Sequence, residues 1–362
     1  MTKLAPSIAL IYMGGTFGCT GTPLAPLAAP VFLPLMQQLV GAQFPAIHRL
    51  VSSHIIKDSS ALNPQDWIDL IVQINQLVGQ GHQHILIIHG TDTLAYTAAF
   101  LAQYFSDDSL QLVVTGSQFP LLEPDGQHLN PDSDALLNLR LAYQQLSHVR
   151  NTGQQNTNCW VAFGGQIWPA LSVQKIHSTA TPTFAGQQPS PQSAQQSIQQ
   201  ITNKSTQQPG QHGSQAEWIN AVTKSKQSID LSQLENLNIA IYYALPLSAC
   251  QQAIQLQHYL TLNKLQAIVI LAFGSGNLNQ HPFIEQVLQQ AAEQQIMVVL
   301  ASQVPFGGVN SRYAAGHWLS QSGVLSANDL PLPAIYARLA YLFCQHLSFA
   351  QRQAQWQLAL SD

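Results

Sequence analysis

Short apolar runs alternate with segments of helical periodicity along most of the chain. In the first half, three such runs span residues 7–15, 84–90 and 110–116, and each of them ends in glycine. Their Ile, Val and Leu content is typical of parallel strands that are buried on both faces because helices cover the sheet. The pattern therefore predicts a parallel β-sheet in the first half of the chain.

The segments between these runs predict covering helices. Residues 64–80 have helical periodicity, with Asn63 as the cap and a proline at the first helical position. A second helix is predicted to start at Asp92 or Thr93 and to end at Tyr104. The first half is thus expected to be a doubly wound, mostly parallel sheet of the flavodoxin-like type.

The same alternation resumes after residue 235 with three further apolar runs. Helices are predicted over residues 248–259, in a segment that ends at residue 294, and from Ala334 to about Gln357. These elements predict a smaller, C-terminal α/β domain of the Rossmann-like type.

A change in composition separates the two halves. From residue 187 to about residue 233 the chain is rich in Gln and Ser and poor in apolar residues, so it cannot bury enough surface to fold firmly. We therefore predict an N-terminal catalytic domain over residues 1–186, an insertion or linker over 187–235, and a C-terminal domain over 236–362.

Charge and composition exclude several classes of partner. Of the 362 residues only 8% are charged, the formal net charge is −4, and no run of Lys or Arg is present. A nucleic acid or an anionic membrane surface is therefore not expected as a partner. No run reaches the roughly 18 apolar residues of a spanning helix, and the N-terminal run is too short for a signal peptide. We expect a cytoplasmic protein.

Four stretches rich in hydroxyl and amide groups follow the predicted strands, and their coincidence indicates a small-molecule site. In open parallel sheets, ligands bind at the carboxyl ends of the strands. The stretches are "GGTFG" (14–18), "HGTDT" (89–93), "TGSQFP" (115–120) and "FGSGN" (273–277). The four cysteines are far apart and lack a CxxC spacing, which favours free thiols over a disulfide or zinc site. The histidines do not fit a zinc site either.

The "HGTDT" stretch has two interpretations. Thr91, Asp92 and Thr93 are ordinary residues for a helix N-cap. A cap needs one such residue, however, and three polar side chains crowd this turn. A carboxylate here is suited to hold a ligand's ammonium group, while a threonine positions a nucleophile or a water. Both interpretations stay open at the level of sequence.

Four segments carry a resemblance to a known family. They are "YMGGTFG" (12–18), "DSSALNPQDW" (58–67), "HGTDTLAYTAAFLA" (89–102) and "VVTGSQFPLLEPDGQHLNPDSDALLNLRLA" (113–142). Together and in this order they resemble the bacterial L-asparaginase/glutaminase family, and most closely its cytoplasmic type I branch. The resemblance is close over residues 7–184 and looser over residues 236–362.

The resemblance implies a catalytic set. Thr16 matches the family's nucleophile, which attacks the side-chain amide of L-asparagine, releases ammonia and leaves an acyl-enzyme. Thr91 and Asp92 match the threonine and aspartate of the GTDT motif, and Lys175 is the candidate for the lysine of the proton relay. The alternative interpretation of Lys175 is an ordinary surface lysine. No metal or organic cofactor is implied.

The resemblance also implies substrate contacts and assembly. Asp58, Ser59 and Ser60 match the loop that holds the α-carboxylate, and Asp92 also contacts the α-ammonium group. Ser117 is expected to contact the amide through its backbone. Family members form homodimers or homotetramers with a shared active site, to which Asn277 would contribute from a neighbouring subunit.

Three departures keep alternatives open. Met13 stands where the family often has threonine, which predicts altered packing without loss of activity. Residues 18–40 contain no tyrosine, although the family's flexible loop usually carries one. Either Thr20 or Thr22 takes its place, or the proton relay depends wholly on Thr91, Asp92 and Lys175. The Gln-rich insertion has no recognised counterpart. A glutaminase-asparaginase of broader specificity and a non-catalytic amino-acid sensor are therefore the competing hypotheses.

Overall fold

The computed structural model describes residues 7–358 apart from residues 55, 107–108, 149–157, 188–228, 311–317 and 320. The chain divides into two compact units. Unit 1 contains the described residues up to 187 together with 331–338, and unit 2 contains the described residues of 188–330 and 339–362.

Unit 1 is built on a six-stranded sheet. The described strands of unit 1 are β1 (Ile8–Tyr12), β2 (Cys19–Thr20), β3 (Ala25–Pro26), β4 (Ile47–Ser52), β5 (His84–Ile88), β6 (Gln111–Thr115), β7 (Cys159–Phe163), β8 (Gln166–Pro169), β9 (Gln174–Lys175) and β10 (Phe184–Ala185). β2 pairs with β3 and β9 pairs with β10, outside the six-stranded sheet. The sheet has the order β4-β1-β5-β6-β7-β8, in which the first five strands are parallel and β8 is antiparallel. The predicted doubly wound, mostly parallel sheet is confirmed.

The three apolar runs of the first half form β1, β5 and β6, as predicted. Every residue of β1 and β5 is buried, which explains why these strands are apolar apart from His84 and show no alternation. The helices of unit 1 are α1 (Ala29–Val40), α2 (Pro64–Gly79), α3 (Leu94–Tyr104) and α4 (Ala135–His148).

Local chemistry sets the start of α2. The Asn63 side chain accepts a hydrogen bond from the Gln65 backbone at 2.9 Å, and the Asp66 carboxylate accepts one from the Asn63 backbone at 2.6 Å. This reciprocal capping box satisfies N–H groups that the first helical turn leaves without partners. Pro64 fits at the first position because it lacks an N–H, a group that would have no partner in the first helical turn, as the sequence predicted.

Unit 2 contains a second parallel sheet. Its described strands are β11 (Ile239–Tyr243), β12 (Ala267–Ala272), β13 (Met297–Ser302) and β14 (Leu325–Ser326), in that order in the sheet. The remaining described helices are α5 (Ala249–Tyr259), α6 (Pro282–Glu293), α7 (Leu332–Phe343) and α8 (Phe349–Leu358). The predicted α/β architecture of the second half is confirmed, and residues 331–338 at the start of α7 belong to unit 1.

The prediction of one long final helix was wrong. The chain forms two helices, α7 and α8, and residues 344–348 between them are not helical. Ser348 starts the second helix with a capping box: its N–H donates to the Gln351 side chain at 2.8 Å, and its hydroxyl accepts from the Gln351 N–H at 3.3 Å. The Cys344 carbonyl also accepts a hydrogen bond from the Asp230 N–H at 2.8 Å, so its partner lies outside both helices.

The predicted insertion over residues 187–235 lies mostly outside the described residues. Its last part is described: Ile229 forms a bridge with Gln345, and Asp230 caps a short 3-10 helix over Leu231–Asn236. The division into three segments, 1–186, 187–235 and 236–362, stays a prediction. Among the residues that the structure describes, no helix combines the length and the apolar character needed to cross a bilayer.

Candidate active site

The first two predicted site turns lie at the switch point of the sheet. From β1 the chain passes to β4 on one side, and the later strands β5, β6 and β7 lie on the other side. β1 and β5 are parallel neighbours in which Tyr12 pairs with Ile88, so their carboxyl ends lie side by side. Thr16 follows one of these ends and Thr91 follows the other. In open α/β sheets this crevice is where ligands bind.

A contact between two glycines joins these turns. A Cβ atom built on Gly15 would lie 2.4 Å from the Cα of Gly90 and 2.6 Å from its nitrogen. Gly15 also has a positive φ of +80°, which L side chains rarely adopt. Because Thr16 and Thr91 are the next residues along the chain, this close approach places the two threonines in adjacent turns.

Lys175 lies against the GTDT turn. Its Nζ donates hydrogen bonds to the Oγ1 of Thr91 at 3.0 Å and to the Oδ1 of Asp92 at 2.7 Å. The lysine side chain is 23% exposed and the aspartate is 54% exposed, so this ion pair contributes little to stability. Its main effect is to hold the Lys175 amine beside Thr91. The structure thus brings together three of the four predicted catalytic residues by direct contact.

The same contacts decide between the two interpretations of this turn. Thr93 occupies the N-cap position of α3, yet its side chain makes no capping bond. Its hydroxyl donates instead to the Ser59 carbonyl at 2.8 Å. Since Thr91 and Asp92 contact Lys175, the polar side chains of the turn serve tertiary contacts and do not cap the helix.

The loop over Asp58, Ser59 and Ser60 is attached to this turn. Ser59 is 3% exposed, and its hydroxyl accepts a hydrogen bond from the Asp92 backbone at 3.2 Å. Asp58 accepts from the Ser60 N–H at 2.8 Å and thereby shapes the loop. Hydrogen bonds from the Ser60 hydroxyl and backbone, and the positive charge of Lys175, lower the pKa of Asp58. Asp58 is therefore ionised at neutral pH.

Ser117 lies beside the site after β6, and it is 1% exposed. Its hydroxyl donates to the Phe119 carbonyl at 2.6 Å, so the side chain is engaged within its own turn. The Asp134 carboxylate accepts a hydrogen bond from the Gln118 N–H, and the Asn138 side chain donates one to the Gly116 carbonyl. These two residues hold the turn, and the sequence did not predict this role. The only signal for them was their place in the downstream part of the resembling segment, since their partners are set by tertiary contacts.

Asn277 belongs to unit 2. It closes a turn after β12 in which its N–H and carbonyl both pair with the Phe273 backbone, at 2.8 Å and 3.1 Å. Its Oδ1 is buried and has no hydrogen-bond partner. The other predicted site residues belong to unit 1. Its contact with substrate therefore stays a prediction.

Cys19 is a second nucleophile candidate close to Thr16 in the chain. Burial, and the negative charge of Asp58, raise the pKa of the Cys19 thiol to about 11. Its Sγ–H donates to the Gly15 carbonyl at 3.3 Å. Because the thiolate is the reactive form of cysteine, Cys19 is held in its unreactive form at neutral pH.

His89, directly before Gly90, is 1% exposed. Its Nδ1 donates to the Gly90 carbonyl at 2.7 Å, and its Nε2 is buried without a partner. Burial lowers the pKa of His89 from 6.5 to about 4, because the charged ring cannot be solvated there. The imidazole is therefore neutral in the folded protein at pH values where the unfolded chain carries a proton.

We expect this histidine to weaken the fold in mild acid. Between pH 6.5 and about 4 the unfolded state binds the extra proton, so the free energy of unfolding decreases as the pH falls through this range. Above pH 6.5 His89 is neutral in both states, and this loss of stability is absent. At pH 5 the loss amounts to about 2 kcal/mol relative to neutral pH.

Urea unfolding at pH 7.5 and pH 5 checks this expectation. A His89→Asn variant keeps a side-chain N–H for the Gly90 carbonyl and removes the titration. Its free energy of unfolding should depend less on pH than that of the wild type, although all other histidines are retained. Identical pH dependence in both proteins would contradict the assignment.

One group among the described residues has the spacing for a metal ion. Ligand atoms of Glu123, Asp125 and His128 lie within 4.8 Å of one another. The Asp125 oxygens already accept hydrogen bonds from the Gln127 N–H at 2.8 Å and the His128 Nδ1 at 2.6 Å. This group contains none of the predicted catalytic residues.

Comparison with known proteins extends these observations. Residues 7–208 match the family model for the N-terminal domain of asparaginase, and residues 240–355 match the model for the glutaminase/asparaginase C-terminal domain. L-asparaginase 1 of Escherichia coli (strain K12) is 26% identical over 351 residues, which cover 94% of this chain and 93% of that protein.

Solved structures share the fold. L-asparaginase I from Vibrio cholerae O1 biovar eltor superposes with a TM-score of 0.68 at 22% identity, over 98% of this chain and 97% of that one. The probable cytoplasmic L-asparaginase from Campylobacter jejuni has a TM-score of 0.67 at 20% identity, over 97% and 99% of the two chains.

The fold and the two family models therefore define a two-domain α/β hydrolase that acts on amides. The chain belongs to the asparaginase family.

Proposed function

We propose that the protein is an L-asparagine amidohydrolase, which converts L-asparagine and water into L-aspartate and ammonia. The observation that carries the proposal is the placement of the Lys175 amine at 3.0 Å from the Thr91 hydroxyl and 2.7 Å from Asp92. An amine, a hydroxyl and a carboxylate in contact, beside a second threonine turn, provide a means of moving protons next to a nucleophile.

The reaction proceeds in two steps. The Thr16 Oγ1 attacks the side-chain amide carbon, its proton passes to the amide nitrogen, and ammonia leaves from a tetrahedral intermediate. Water then attacks the resulting ester, and L-aspartate leaves while Thr16 regains its proton. We assign stabilisation of the developing oxyanion to the backbone N–H groups of the turn around Gly14 and Gly15, next to Thr16.

Thr91 and Lys175 move the protons in both steps. Because Lys175 donates to the Oγ1 of Thr91, the Thr91 hydroxyl hydrogen is free to point towards another acceptor. Asp92 fixes the amine with its Oδ1 at 2.7 Å. Asp92 is also 54% exposed, so it keeps an oxygen for the α-ammonium group of the substrate.

The remaining predicted residues bind and orient the substrate. The loop over Asp58, Ser59 and Ser60 holds the α-carboxylate, with Asp58 setting its shape through the Ser60 N–H. Ser117 contacts the amide through its backbone. A homodimer or homotetramer in the cytoplasm completes the site, with Asn277 supplied by a neighbouring subunit. Such clamping contributes to catalysis by bringing the amide to attack distance.

Ammonia release from purified protein tests this proposal. We expect release from L-asparagine, less from L-glutamine and least from D-asparagine, with aspartate formed in equal amount. One extra methylene is worth only about 1–3 kcal/mol of discrimination, so similar rates with L-glutamine would assign a glutaminase-asparaginase. Binding of L-asparagine without release would instead assign a sensor and contradict the amidohydrolase.

A further inference from the structure

The segment that carries Lys175 belongs to a short hairpin, in which the Ile176 and His177 N–H groups donate to the Thr183 carbonyl at 2.8 and 3.2 Å. Lys175 lies on β9, a strand of two residues, which pairs with the equally short β10 through Phe184. An isolated two-stranded hairpin is marginally stable at best in water. Holding the amine within hydrogen-bond distance of Thr91 therefore requires contacts from elsewhere in unit 1.

Gln118 supplies such a contact. Its Nε2 donates to the Ser178 carbonyl at 2.8 Å, inside the loop between β9 and β10. The Thr183 hydroxyl lies 3.2 Å from the Gln118 Oε1 and 2.7 Å from the Ala180 carbonyl. Its single proton is shared between these two acceptors, so the bond from Nε2 is the stronger of the two contacts that Gln118 makes.

Gln118 is itself fixed from the opposite side. The Asp134 carboxylate is buried and accepts hydrogen bonds from the Gln118 N–H at 3.0 and 3.1 Å and from the Phe119 N–H at 3.0 Å. Asn138, which is fully buried, donates to the same carboxylate at 2.9 Å and to the Gly116 carbonyl at 3.0 Å. Buried polar groups satisfied in this way hold a backbone in one conformation.

We propose that Gln118 is a positioning residue for Lys175. Its backbone is anchored to Asp134 at the start of α4, and its side chain binds the loop that returns from Lys175 to β10. Through this loop it keeps the lysine amine at Thr91 and Asp92. The inference rests on the proposed function, because it gives Gln118 an effect on turnover through the proton relay and assigns it no contact with substrate.

Steady-state kinetics on a double-mutant cycle tests the role. We expect Gln118→Ala to lower kcat by about 10-fold with little change in KM, because a small misplacement of a catalytic group is costly. In a Lys175→Met background, Gln118→Ala should not lower kcat further. The effects of two substitutions are not additive when one residue acts through the other. Gln127→Ala, the same substitution at an exposed glutamine, is the control.

A second variant and a second measurement separate positioning from general damage. Gln118→Glu keeps the acceptor for Thr183 and places a carboxylate oxygen against the Ser178 carbonyl, so we expect it to lose at least as much kcat as the alanine variant. The rate at which an acetylating reagent modifies the Lys175 amine, mapped by mass spectrometry, should rise in both variants, whereas that of Lys264 should not. Their unfolding temperatures should stay near that of the wild type.

The outcomes are distinguishable. Wild-type kcat in Gln118→Ala, or an equal loss with and without Lys175, overturns the positioning role while leaving the hydrolase intact. Unchanged labelling of Lys175 in both variants also overturns it. If the wild type releases no ammonia from any amide, the proposed function fails, and the labelling still decides whether Gln118 holds Lys175.

Discussion

Replacing Thr16 with alanine is expected to lower kcat for L-asparagine by about 10⁴-fold or more, because the acyl-enzyme cannot form without its hydroxyl. Thr16 opens a short 3-10 helix and is half-buried, while the neighbouring Phe17 provides the buried side chain of that turn. Loss of the Thr16 hydroxyl should therefore leave the unfolding temperature nearly unchanged. The measurement is ammonia release under saturating substrate.

Two further variants make this test specific. Thr16→Ser keeps an attacking oxygen and should retain most of the activity that the alanine variant loses. Thr261→Ala removes an exposed threonine at the end of α5 and should behave as wild type. Turnover by Thr16→Ala at the wild-type rate would refute the assignment of the nucleophile.

Replacing Lys175 with methionine is expected to lower kcat by about 10²–10⁴-fold, the range typical of losing a group that transfers protons. Methionine keeps an unbranched side chain of similar reach and removes the amine that contacts Thr91 and Asp92. KM should change less, because the Asp92 carboxylate, which we propose holds the substrate's ammonium group, remains. Steady-state rates over a range of L-asparagine concentrations separate the two effects.

Lys264→Met is the matched control, since Lys264 is exposed in unit 2 and has no assigned role. It should leave both kinetic constants unchanged. An equal loss in the two methionine variants would indicate general damage, and wild-type kcat in Lys175→Met would remove this lysine from the mechanism.

Much of the fold could be predicted because buried parallel strands appear in the sequence as short, nearly continuous apolar runs. β1, β5 and β6 lie in mostly apolar runs that end in glycine, and the cap at Asn63 is a local signal within four residues. The edge strand β4 gave no such signal, because its residues are half-buried or exposed. The break before α8 was hidden by apolar residues on both sides, although Ser348 and Gln351 have the spacing of a capping box.

The candidate site residues could be proposed from the sequence, but the contacts that support them could not. Thr16, Thr91 and Asp92 lie in motifs of a few adjacent residues, so their types can be read directly from the chain. The contact of Gln118 with Ser178 joins positions 60 residues apart, and no local pattern encodes it. Such partners follow from the folded geometry alone.

The packing of Gly15 against Gly90 determines how this enzyme can be altered. Because the two turns meet through main-chain atoms, exchanging the side chains of Thr16 or Thr91 removes no part of the contact that aligns them. Side chains around the two turns can therefore be exchanged within an intact frame, whereas a side chain at Gly15 would meet the Gly90 backbone and one at Gly90 would meet the Ser59 side chain.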